Sequence, residues 1–135
     1  MVINPPLPVE VTITSTGNQD DVDFSGATVL RCNNASLLTI RGVLATTPGR
    51  RLIIMSVGAG QVDLASQNTN SAVANRIITG VTGIISLAAG VGRVEIVYDG
   101  STARWRVVEH EQGAWITPTF DAANYTGNNS MTWTV

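Results

Sequence analysis

The sequence predicts an all-β protein, an antiparallel β-sandwich of jelly-roll type with an extended N-terminal arm. Three observations carry that expectation. Short β-branched and apolar runs recur about every ten residues, with Gly, Pro and Asn turns between them. No window of about 11–18 residues keeps an apolar stripe at helical spacing. Gly, Thr, Asn and Ser together supply 48 of the 135 residues, and these residues favour turns and strands over helix interiors.

At 135 residues and 14.2 kDa the chain is long enough for one core and hardly for a second domain. Charged residues are only 13% of the chain against 44% apolar, about half of the usual charged share of about a quarter. A disordered tail is excluded by the apolar content. A nucleic-acid binder of the basic-patch kind is excluded by a net charge of −2 with eight Arg and no Lys. Hydroxyls and amides keep such a surface hydrated. One Cys and one His cannot build a disulfide framework, a zinc finger, an iron–sulfur site or a thioredoxin-like motif, and no cofactor is expected. The opening Met1-Val2-Ile3-Asn4 lacks the basic and apolar regions of a secretory signal. The apolar runs fall short of a membrane span. The expectation is a protein made in a cytoplasm, without membrane insertion.

Residues 1–8 contain Pro5, Pro6 and Pro8, which favour polyproline II, a conformation without internal hydrogen bonds, and so read as an extended arm. A sandwich domain is expected over 9–113. It begins with the strand Val9 to Thr14, in which Val9, Val11 and Ile13 alternate with polar residues, and continues after a polar turn with Ala27 to Arg31. Leu37 to Val43 and Arg51 to Val57 read as a hairpin, because Pro48-Gly49 suits the two central positions of a type II turn. Ser71 to Arg76 is the one plausible helical turn. Arg93 to Tyr98 and Ala103 to Glu109 form the clearest hairpin, linked by Asp99-Gly100-Ser101-Thr102. It presents Ile96, Tyr98, Trp105 and Val107 to the inside, with Trp105 as the core anchor beside Ile96. Residues 114–135, with Trp115 to Phe120 and Met131 to Val135, form a C-terminal extended segment. Trp133 and Val135 lie on a strand without a later partner, so either a neighbouring subunit covers it or the natural chain continues. No period of 20–50 residues repeats convincingly.

Candidate chemistry is sparse. His110 lies between two Glu just past a strand end, with no nucleophile or orienting partner announced nearby. Cys32 reads as a small buried hydrophobe. Asp21-Val22-Asp23-Phe24-Ser25-Gly26 matches the front half of a calcium loop, but the twelfth position is Cys32 instead of the completing Glu, so an Asp-rich turn is preferred. Gly58-Ala59-Gly60 and Gly90-Val91-Gly92 lack the helix and the Gly-Lys-Ser/Thr of a phosphate loop. No pair of carboxylates stands out as a glycosidase pair. Arg104 and Arg106 point away from Trp105 and read as solvated or interface arginines. No catalytic, cofactor or metal residue is assigned.

The series Asn75-Arg76-Ile77, Gly83-Ile84-Ile85-Ser86-Leu87-Ala88-Ala89-Gly90, Val97-Tyr98-Asp99-Gly100 and Arg104-Trp105-Arg106-Val107 resembles β-rich segments of tailed-bacteriophage fibre, tail and head-decoration proteins. Pro118 to Tyr125, with Met131 to Val135, looks like the start of a following module in such fibres. The resemblance covers roughly half to two-thirds of the chain and brings no catalytic residue. It implies a non-enzymatic virion structural protein, a homotrimer attached to capsid or tail alongside other virion proteins, with a host surface glycan as a further partner. Pro5, Pro6, Pro8, Tyr98, Trp105, Trp115 and Trp133 are then the structural and interface candidates. The competing reading is a carbohydrate-binding module whose exposed Trp and Tyr form a stacking platform. A depolymerase fragment ranks third.

Overall fold

A computed structural model describes residues 9–111. The arm at 1–8, with Pro5, Pro6 and Pro8, and the segment 114–135, with Trp115 and Trp133, lie outside the described residues.

Ten strands and one 3₁₀ turn, Val73–Asn75, make up the regular structure of these residues. The strands are β1 (Glu10–Ile13), β2 (Gly17–Gln19), β3 (Val29–Cys32), β4 (Leu38–Ile40), β5 (Arg51–Ser56), β6 (Val62–Leu64), β7 (Ile77–Ile78), β8 (Ile85–Leu87), β9 (Arg93–Asp99) and β10 (Arg104–Glu111). One sheet has the order β1-β3-β5-β9-β10-β7, and the other has the order β2-β4-β6-β8. Odd and even strands of the first six thus alternate between two sheets, and within each sheet they pair in parallel.

This is a β-solenoid, and it corrects the expected antiparallel jelly-roll sandwich. The chain winds through three coils, β1–β2, β3–β4 and β5–β6, each lying on the one before. Glu10 pairs with Val29 and Val29 with Ile53, while Leu38 pairs with Val62. The coil repeat is therefore about 19 to 24 residues, which overturns the reading that no such period exists. A third side is marked by the parallel bridge between Val22 and Val43. Strands β8 and β9 then run backwards over β6 and β5, and β10 turns back on β9.

The reason for the stack lies in the columns it creates. Inward residues of successive coils meet the same neighbours at each layer, about 4.8 Å apart. Val11, Leu30, Ile54 and Val94 form one column, and Leu38, Val62 and Leu87 another. Leu30, Ile54, Leu38, Val62 and Leu87 are wholly buried. Each contributes about 1.5–3 kcal/mol relative to exposure.

The expected hairpin of Leu37 to Val43 with Arg51 to Val57 does not form, since β4 and β5 belong to different sheets. Its turn is real. Arg50 N–H bonds to the Thr47 carbonyl at 3.1 Å and Gly49 has φ 84°, the left-handed position of a type II turn. That turn passes the chain from one coil to the next. The Ser71 to Arg76 helical turn shrinks to Val73–Asn75. The β9/β10 hairpin is present, with Trp105 opposite Tyr98 and Val107 opposite Ile96, and a bulge between Val107 and Glu109. Trp105 thus faces Tyr98 directly instead of Ile96. His110 lies within β10, opposite Val94, and not past a strand end.

Candidate functional site

Two regions place polar chemistry in order: the loop that locks the stack, and the outward face of the larger sheet.

The lock is built on Asp21, whose φ of 49° turns its carboxylate towards the loop 68–76. Its Oδ1 accepts the backbone N–H of Ala72 and the Asn75 Nδ2, both at 2.8 Å. Asn75 is buried, and its Oδ1 accepts the Ala45 N–H at 2.7 Å. Its own carbonyl accepts the Val43 N–H at 2.9 Å. Gly42 leaves room for this loop, because a Cβ there would collide with Ser71. Beneath it, Tyr98 donates its hydroxyl to the Ala74 carbonyl at 2.9 Å, and Trp105 stacks edge-on against both Tyr98 and Phe24. The half calcium motif is consumed here. Asp21 serves the lock, Asp23 caps its own turn through the Ser25 N–H at 2.8 Å, and Phe24 enters the core.

The remaining sequence candidates fall apart spatially. Cys32 is fully buried in β3, and burial pushes its thiol up to about 12. Gly58-Ala59-Gly60 is the turn joining β5 to β6, packed against Asn33, Asn34 and Ser36. Asn34 is wholly buried and donates its Nδ2 to the Ser36 and Gln61 carbonyls at 2.8 and 3.0 Å. Gly90-Val91-Gly92 is the turn from β8 to β9. Both glycine loops are therefore coil corners. Phe24, Tyr98 and Trp105, the aromatic residues among those described, are all buried and present no stacking platform.

The outward faces of the two sheets differ in kind. On the smaller sheet one lateral row reads Asn18, Thr39, Asp63 and Ser86, polar throughout. On the larger sheet the outward positions include Val29, Ile53, Met55, Ile78 and Val97, all part-exposed. These are set among Arg31, Arg51, Arg93, Arg106, Glu10, Glu95 and Glu109. Three ion pairs lie on this face: Arg31–Glu10 at 3.5 Å, Arg51–Glu95 at 2.5 Å and Arg106–Asp99 at 2.8 Å. The Arg106 hydrogen bond, then that of Thr102, holds the Asp99 carboxyl below its ordinary value. Ile53, Met55, Arg93, Val94, Glu95 and Glu109 line a shallow depression of about 130 Å³ across β5, β9 and β10.

Sequence reasoning missed this face, although a signal existed. Leu52-Ile53-Ile54-Met55 is apolar at every position, so whichever alternate residues turn inward, the other two must lie outside. Comparison with family models, with curated proteins and with solved structures finds no match to the chain.

Proposed function

We propose that the protein is a non-enzymatic structural component of a bacteriophage virion, made in the host cytoplasm and assembled as a homotrimer on capsid or tail with other virion proteins. One observation supports it above the others. The residues that carry the phage resemblance are spent on closing the solenoid. Asn75 locks the 68–76 loop to Asp21, and Gly83 and Gly90 take φ of 95° and 78° at corners. Tyr98 holds Ala74, Asp99 holds Arg106, and Trp105 fills the core beneath. Motif positions that cover the end of the stack suit a building block, because the terminal coils of a solenoid must be closed off.

The carbohydrate-binding reading has less support, since stacking on sugars needs an exposed aromatic ring and those of the described residues are interior. The test is particle co-sedimentation of the purified full chain with particles lacking it, alongside a glycan array and a turnover assay on capsular polysaccharide. Saturable binding to particles without turnover is the expected result. Polysaccharide cleavage, or glycan binding without particle binding, would overturn the proposal.

A further inference from the structure

We infer that the outward face of the larger sheet pairs with the same face of a second copy of this chain, strands antiparallel, about a two-fold axis running across the strands between the Ile53/Glu95/Glu109 row and the Arg51/Val97/Arg106 row. The register fixes both rows. Ile53 pairs with Glu95 and Glu95 with Glu109 in one, and Arg51 with Val97 and Val97 with Arg106 in the other. Further out on β9 lie Arg93 at one end and Asp99 at the other.

The axis keeps each strand over its own copy and exchanges the rows. Glu109 then falls over Arg106 of the second copy, and Arg93 over Asp99, each twice by symmetry. With the internal Arg106–Asp99 pair at 2.8 Å, the contact makes an alternating series of four charges: Arg93, Asp99, Arg106, Glu109. Val97 meets the aliphatic part of Glu95, and Ile53 meets that of Arg51. Placing the axis on the Glu95 row instead would oppose Glu95 and Glu109 to themselves, and placing it on the Val97 row would oppose Arg51 and Arg106 to themselves, so the charge pattern disfavours both.

The strands that reach both sides of the axis are β5, β9 and β10, because β1 and β3 lie wholly on the Ile53 side. Three strands span about 14 Å at 4.8 Å each and run about 20 Å. That is roughly 300 Å² per copy and roughly 600 Å² in the pair, the size of a weak and reversible contact. On the smaller sheet the outward row of Asn18, Thr39, Asp63 and Ser86 is polar, and the exposed Leu37 and Ile84 stand just before β4 and β8. The inference goes beyond the virion reading and does not depend on it.

The experiment uses the full chain. Glu109→Cys and Arg106→Cys proteins, mixed and treated with a short bismaleimide, should cross-link to each other, while Thr39→Cys on the smaller sheet should not cross-link. Cys32 is buried and does not compete. By sedimentation equilibrium, Ile53→Asp and Arg93→Asp should each weaken association at least tenfold with unchanged circular dichroism. A full chain that shows no association, cross-linking as fast through Thr39→Cys, or variants that associate like the parent would overturn the pairing. So would a monomer whose Glu109→Cys thiol is shielded from labelling, because the chain's own residues 112–135 would then hold the face.

Discussion

Trp105 donates its indole N–H to the Val43 carbonyl at 3.0 Å, joining β10 to the third side of the second coil across 62 positions. The same N–H also reaches the Leu44 carbonyl at 3.2 Å. The indole is wholly buried, with Tyr98 and Phe24 against it at 5.3 and 5.9 Å between ring centres. One side chain therefore ties the antiparallel closing strands to the parallel coils beneath them.

Replacing Trp105 should separate its two contributions. Trp105→Ala should cost about 3–5 kcal/mol through lost packing and the cavity left behind. Trp105→Phe keeps most of the ring and loses the donor to buried carbonyls, which should cost roughly 1–3 kcal/mol. Urea unfolding of both variants checks the order. An Ala variant with an unchanged midpoint would remove Trp105 as the anchor.

Asn75→Asp should create a pH-sensitive lock. The new carboxylate would face Asp21 Oδ1, which Asn75 Nδ2 now reaches at 2.8 Å. Two carboxylates in contact raise the pKa of the pair above its unfolded value. Relative to the parent, the variant should therefore be destabilised at pH 7 by about 1–3 kcal/mol and recover as pH falls through the carboxylate range. Thermal unfolding at pH 7 and pH 4.5 measures the difference.

Asp99 titrates with the opposite sign. Arg106 and then Thr102 hold its carboxyl below the ordinary value, so the stability it contributes is fully present above the unfolded value of about 3.9. It is lost as pH falls through the lowered folded value. The group is near solvent and the effect is small. Arg106→Gln should shift the Asp99 carboxyl resonance titration upward towards the ordinary value, which NMR detects directly.

Cys32 reports on opening of the core. Its thiol is pushed up to about 12 by burial, so at pH 8 almost none is thiolate in the folded chain. Labelling by a maleimide should be slow in buffer and rise together with urea unfolding. Rapid labelling of the folded protein would place Cys32 outside the column that the stack assigns to it.

The closing hairpin was legible because its signals are local: Asp99-Gly100 marks the turn, and Tyr98 and Trp105 fall on one face by simple alternation. The solenoid was not, for a physical reason. Inward residues alternate in parallel and antiparallel strands alike, so Leu52, Ile54, Leu38 and Ile40 reveal which side is buried and nothing of which neighbour lies beside them. Coil registry is also blurred by unequal corners. Leu30 stands beside Ile54 and Leu38 beside Val62 at one spacing, whereas Val11 stands beside Leu30 at a shorter one. The matched positions agree only in being apolar, and Cys32 is matched by Ser56. At Pro48-Gly49 the turn itself is legible and its setting is not, because the same turn serves a hairpin and a coil corner alike.

The central claim is the parallel stacking of the coils, and long-range NOEs in uniformly labelled full-length protein test it most directly. The stack requires backbone contacts between Leu30 and Ile54, between Thr39 and Asp63, and between Leu38 and Val62. Cross-strand contacts linking Leu37–Val43 to Arg51–Val57 in antiparallel order, without those three, would contradict it.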